Sequence, residues 1–182
     1  MKTPYRSLAA VTLLATAALR AQAPAAAPKP GPEQQKLAYF AGRWNEAAEM
    51  KPGPMGPGGK MTGTSNCEWF AGGFSLVCRS EAKGPSGEMH NSLGVLGYDT
   101  ERKHYTYYGT DNTGMGGGDL SFGQLTGDTW TWEGESLMGG KPIKGHYTIK
   151  QASPDSYTWR WELSVGGGPF TLIAEGTDTR IK

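Results

Sequence analysis

Few residue types in this chain can do chemistry, and their spacing favours binding and cross-linking over catalysis. Cys67 and Cys78 are the only cysteines; their separation is not that of a C-x-x-C redox motif, so a structural disulfide is the reading they favour. The three histidines, His90, His104 and His146, are scattered, whereas zinc needs several converging ligands, and no metal site is expected. Asp99, Asp111 and Asp119 stand near loop ends and are the carboxylates placed for general acid–base work, but no pair has a spacing that compels it. There is no Gly-x-Ser-x-Gly elbow, no His-Glu-x-x-His helix and no phosphate-binding glycine loop ending in Lys-Ser/Thr. The most capable set is aromatic. Trp130, Trp132, Tyr147, Trp159 and Trp161 offer flat faces that either fill a core or line a cavity for an apolar or ring-bearing molecule.

Strands must position those rings. From Trp44 onward, short runs alternate apolar and polar residues and are separated by Gly-Gly, Gly-Asp or Asp-Asn-x-Gly, the pattern of hairpins. About ten strands are predicted, near 43–51, 60–70, 74–83, 88–98, 103–110, 119–126, 129–137, 142–151, 156–165 and 170–180. A turn at Gly72-Gly73 sets Trp69 against Leu76 and Cys67 against Cys78, with Asn66, Glu68, Arg79 and Glu81 on the reverse side. A turn at Gly139-Gly140 sets Trp132 against Tyr147 and Trp130 against Ile149, with Glu133 opposite His146 and Glu135 opposite Lys144 behind them. Gly127-Asp128 adds Leu125 and Gly123 to the same aromatic side. In 156–165, Tyr157, Trp159, Trp161 and Leu163 alternate with Thr158, Arg160, Glu162 and Ser164, as in a half-buried antiparallel strand. An all-β, antiparallel up-and-down barrel closes the edges of such strands most simply, and the lack of long crossovers favours it over a sandwich. One short helix precedes the strands: Pro32 opens it, Leu37, Phe40 and Ala41 share a face, and Gly42 ends it. About ten residues are too few for a stable isolated helix, so this one is expected to pack on the barrel.

Composition agrees with one turn-rich domain: 182 residues with Gly 28, Pro 12, 10% aromatic and 19% charged residues. That aromatic content excludes a disordered chain. Lys2 and Arg6 precede an uncharged apolar run from Leu8 to Leu19, and Ala21-Gln22-Ala23 follows, so residues 1–23 are predicted to be a secretory signal peptide too short to span a bilayer. Residues 24–32 form an Ala/Pro-rich linker and 33–182 the barrel domain. Loss of Lys2, Arg6 and Arg20 leaves 15 basic and 17 acidic residues, a net charge of −2, which removes the electrostatic basis for nucleic-acid binding. A secreted or periplasmic location is oxidising and permits the disulfide.

Gly42-Arg43-Trp44 after a short helix, a meander of hairpins, and Arg180 near the end of the last strand resemble the calycin superfamily, whose lipocalins carry Gly-x-Trp on the first strand and a late Arg over that Trp. Gly97-Tyr98-Asp99, the segment Thr126 to Trp132, the segment Ser153 to Tyr157 and the closing Thr177-Asp178-Thr179-Arg180 resemble a bacterial family of exported proteins catalogued as domain of unknown function 1579. The resemblance implies a lipocalin-like barrel in which Gly42, Trp44 and Arg180 are structural. Nitrobindins, related ten-stranded barrels, bind haem through a histidine and carry an extended Gly-x-Trp-x-Gly-x-Gly pattern; here Glu46, Ala47 and Ala48 follow Asn45, and no cofactor is expected.

The function expected is that of a binding barrel, holding a small apolar or aromatic ligand behind the 51–60 and 111–118 loops, with no membrane span in the mature chain. The rivals are a structural or interaction protein of the cell envelope, including an outer-membrane barrel with its aromatic side to lipid, an enzyme working through Asp99, Asp111 or Asp119, and a haem-binding barrel.

Overall fold

Alternation along each strand, repeated from hairpin to hairpin, gives every strand one inward and one outward face. The computed structural model describes residues 27–53, 55–114 and 119–182, Asp119 through its backbone only; the segment 1–23, the first linker residues, and parts of the 51–60 and 111–118 loops lie outside the described residues. The strands are β1 (Gly42–Met50), β2 (Gly59–Trp69), β3 (Leu76–Lys83), β4 (Met89–Asp99), β5 (His104–Asp111), β6 (Asp119–Thr126), β7 (Thr129–Met138), β8 (Lys141–Ser153), β9 (Ser156–Val165) and β10 (Thr171–Arg180). Each pairs antiparallel with its chain neighbours, and β1 closes on β10 from Trp44↔Arg180 to Met50↔Ala174. The result is a ten-stranded up-and-down barrel without a free edge.

Turn glycines set the register. Gly139 and Gly140, at φ 55 and 77, make the tight β7–β8 turn, and Trp132 pairs with Tyr147, Trp130 with Ile149 and Glu135 with Lys144. The β2–β3 ladder pairs Trp69 with Leu76 and Cys67 with Cys78. Its connection is wider than a two-residue turn, closed by the Phe70 N–H donating to the Ser75 carbonyl at 2.8 Å and the Gly73 N–H to the Phe70 carbonyl at 2.9 Å. Cys67 and Cys78 form a disulfide across the ladder, with Cα atoms 4.0 Å apart.

The leading helix is shorter than the spacing predicts. The α-helix α1 covers Pro32–Lys36 and gives way to a 3₁₀ segment, Leu37–Phe40. In a 3₁₀ turn residues three apart eclipse, so Leu37 and Phe40 both enter the end of the barrel, where each is buried. Gly42 directly follows the segment's cap residue Ala41 and opens β1 at φ +110, where a Cβ would lie 2.9 Å from Arg180 Nη1. The plug is held by polar contacts as well as packing. Trp44 Nε1 donates to the Phe40 carbonyl at 2.9 Å, the Tyr105 hydroxyl donates to Glu33 at 2.7 Å, and Tyr39 Oη lies 2.8 Å from the Ser153 carbonyl. Arg180 spans the seam: its guanidinium sits 4.2 Å over the Trp44 ring and donates to the carbonyls of Ala41 (2.6 Å) and Tyr39 (2.9 Å).

Candidate functional site

Inside the wall, the two ends differ. Near the plug, Trp44 (1% exposed), Leu76 (0%) and Trp130 (0%) pack with Phe40, Tyr105 and Tyr157 into a solid core. Further along, Glu46, Ser65, Ser80, Tyr107, Tyr147 and Trp161 lie on the inward parity of a closed barrel yet retain accessible surface. An inward side chain keeps such surface where its surroundings are incompletely packed, so this part of the barrel is less completely filled than the plug end.

Residue size explains the looser filling. On β2, β3 and β4 the inward positions are small, among them Gly63, Ser65, Ser80, Ala82, Ser92 and Gly94. Large rings come from the opposite side, Trp132, Tyr147, Trp159 and Trp161, and glycines on neighbouring strands let some of them lie flat against the wall. A Cβ at Gly176 would stand 2.7 Å from the Trp159 ring, and one at Gly94 or Gly109 would stand 2.6 or 2.7 Å from the Tyr107 ring. Gly123 seats Trp132 in the same way. Trp130 and Trp132 stack nearly parallel at 6.2 Å, and Tyr147 stacks on Trp159 at 5.4 Å.

Two carboxylates enter this aromatic space. Asp178 on β10 stands directly opposite Glu46 on β1. Both Asp178 oxygens are engaged: the Tyr157 hydroxyl donates to Oδ2 at 2.7 Å and Trp159 Nε1 donates to Oδ1 at 2.9 Å. Burial pushes the Asp178 carboxyl up, and these two donors pull it back. Glu46 has no hydrogen bond or ion pair among the described residues. Desolvation, with the Asp178 charge beside it, raises its pKa to about 7. The Tyr147 phenol, desolvated deep in the barrel and facing both carboxylates, is pushed well above its ordinary value.

The residues singled out for chemistry fall in different places. Trp130, Trp132 and Trp159 belong to the buried core, whereas Tyr147 and Trp161 are partly buried and pack against it from the less covered half. His104 faces outward onto Phe122 at 4.7 Å, and His90 lies 3.4 Å from Glu88. His146 is opposite Glu133 in register but approaches Glu162 on the next strand, at 3.3 Å. Asp99 accepts from the Glu101 and Arg102 backbone N–H groups at 3.0 and 2.9 Å, and Asp111 from that of Thr113 at 2.7 Å; both build turns. Among the described residues no group of His, Cys, Asp and Glu converges as a metal site. Glu46 and Asp178 were not among the candidates. Their signal is parity: Glu46 alternates with Trp44 and Ala48, and Asp178 with Gly176 and Arg180.

A family model described as "Protein of unknown function (DUF1579)" matches residues 29–180. No curated protein matches. Among solved structures, the barrel is similar to Rv2717c from M. tuberculosis, with a TM-score of 0.61 and 15% identity over 85% of this chain and 100% of that one. It is also similar to the S-type phycobiliprotein lyase CPES from Guillardia theta, with a TM-score of 0.55 and 13% identity over 82% of this chain and 93% of that one. At these identities the likeness is one of fold.

Proposed function

The chain belongs to the DUF1579 family, and on that premise we propose that it is an exported barrel that binds a small apolar or aromatic ligand in its interior. The observation that carries this reading is the incomplete cover of inward Glu46, Ser65, Ser80, Tyr107, Tyr147 and Trp161, which a fully filled barrel would bury. Export is supported by the Cys67–Cys78 disulfide, which persists in oxidising compartments, and by the signal-like segment 1–23. A barrel set in a lipid bilayer needs an apolar outer band. Here the tryptophans of β7 and β9 face inward, exposed apolar side chains such as Leu93, Tyr108, Leu120 and Phe122 cover the outside of β4 to β6, and the outward positions of β1, β9 and β10 interrupt any band with Glu49, Arg160, Glu162 and Glu175 in a ladder of ion pairs that includes Lys51–Glu175 at 2.9 Å. Catalysis through Asp99 or Asp111 finds no support, since turn backbone already engages both.

The test is binding of N-phenyl-1-naphthylamine, a neutral probe that brightens in apolar surroundings, to the purified chain and to Ser80→Phe. Ser80 faces the less filled half from β3, so a phenyl ring there fills the space the probe would take. Wild-type protein is expected to bind with a saturable signal and Ser80→Phe to lose it while keeping its far-UV circular dichroism. Equal binding by both would place the probe elsewhere and overturn the reading.

A further inference from the structure

We infer that the ligand of this interior site carries a cationic N–H donor, such as a primary ammonium or an amidinium, at the end of an aromatic or apolar body, and that Glu46 and Asp178 receive it. This rests on the interior-binding reading and adds the chemistry of the ligand's head.

The two acids do not have equal roles. Asp178 is locked in place by the Tyr157 hydroxyl and the Trp159 indole, so it is a fixed negative end with lone pairs to spare. Glu46, opposite it, has no donor and no cation among the described residues. Arg180, two residues along β10, is committed elsewhere, to the Trp44 face and the Ala41 and Tyr39 carbonyls. A second group points the same way. The Tyr147 hydroxyl, on an inward residue that keeps accessible surface and within the field of both carboxylates, has no hydrogen-bond partner among the described residues, and its ring stacks on Trp159. An unpaired acid in low dielectric is a standing cost that a cation would remove.

Other ligand heads fit worse. An anion would meet two like charges, and a wholly apolar molecule would leave Glu46 desolvated without a partner. A cation instead gains both carboxylates. The groups beside Glu46 are Asp178 on β10, Tyr157 on β9 and Tyr147 on β8; the basic side chain on the inward parity of the same register row, His90 on β4, lies three strands away and 3.4 Å from Glu88.

Calorimetry with three matched probes tests this: 2-naphthylmethylamine, 2-naphthylmethanol and 2-naphthylacetate, cationic, neutral and anionic on one ring system. The amine is expected to bind at least about tenfold more tightly than the alcohol at about pH 8, the acetate weakest of all, and Glu46→Gln to bring amine and alcohol to within about twofold. In the wild-type chain the amine, protonated throughout, should weaken about tenfold from about pH 8 to about pH 5 as Glu46 takes up a proton, and Glu46→Gln should be flat. The pH arm uses the native sequence and needs no variant to fold. Equal binding of amine and alcohol, or a preference that survives Glu46→Gln, overturns this inference and leaves interior binding standing. Failure of all three probes to bind overturns both.

Discussion

Glu46 also reports on itself through stability. Its carboxyl titrates at about 7 in the folded chain against an ordinary 4.5. Between those values the folded state holds more protons than the unfolded one, so stability falls as pH rises from about 4.5 to about 7 and levels off above. Asp178, also raised, adds to the same trend. The full shift corresponds to on the order of 3–4 kcal/mol, lessened by the solvent contact Glu46 keeps. Opposing groups act at lower pH. The carboxyls of Glu33, Asp99 and Glu175, held down by Lys36, by the Arg102 backbone and side chain and by Lys51 respectively, contribute stability that is lost as pH falls through their lowered values. Urea unfolding should therefore show wild-type protein more stable at about pH 5 than at about pH 8, and Glu46→Gln more stable than wild type at about pH 8 with much of that slope gone. Parallel pH profiles for the two proteins would contradict the placement of Glu46 in a desolvated interior.

At the scale of elements, what was legible in the sequence depended on distance along the chain. Hairpin registers could be read because a Gly-Gly or Gly-Asp turn lies within a few residues of the pairs it sets: Cys67 with Cys78, Trp132 with Tyr147, Gly123 with Trp132. No turn joins β1 to β10. Their register is settled by closure of the whole barrel, and the Glu46–Asp178 pair exists only across that seam. Strand parity does put Glu46 on the face of Trp44, but a charged residue there makes sense only in an interior with room, and the room left depends on side chains from all the strands together. The helix is shorter than its spacing predicts for a local reason: Leu37 and Phe40 suit a helical face but are drawn into the barrel end by a tighter turn. The seam also offers a test. Gly176 on β10 lets the Trp159 ring lie flat, with an added Cβ meeting the ring at 2.7 Å and the Ala48 Cβ at 2.9 Å. Gly176→Ala should cost about 1–3 kcal/mol, as overpacking does, and tilt Trp159 into the less filled interior, so denaturant unfolding and N-phenyl-1-naphthylamine binding should weaken together. Unchanged values of both would mean that the ring does not depend on that seat.

For the whole molecule, a less filled half means less packed core, and stability must come from elsewhere. The buried core is densest at the plug end, where Leu37, Phe40, Trp44, Leu76 and Trp130 meet, and reaches along the wall to Trp132, Trp159 and Ala174. Cys67 and Cys78 bridge β2 and β3 near that end, beside Leu76, across a sequence separation of 11. Constraining so short a loop in the unfolded chain is worth about 2–3 kcal/mol. Reduction should accordingly lower the midpoint of thermal unfolding by roughly 5–10 °C for a chain of this size. The double variant Cys67→Ala/Cys78→Ala should show the lower midpoint without reductant and no further response to it. Because the bridge lies at the plug end and not among the inward residues of the open half, 2-naphthylmethylamine binding should survive in the double variant at temperatures where it remains folded. A midpoint indifferent to reductant would mean that closure of the ten-stranded wall alone supplies the stability that the less filled interior gives up.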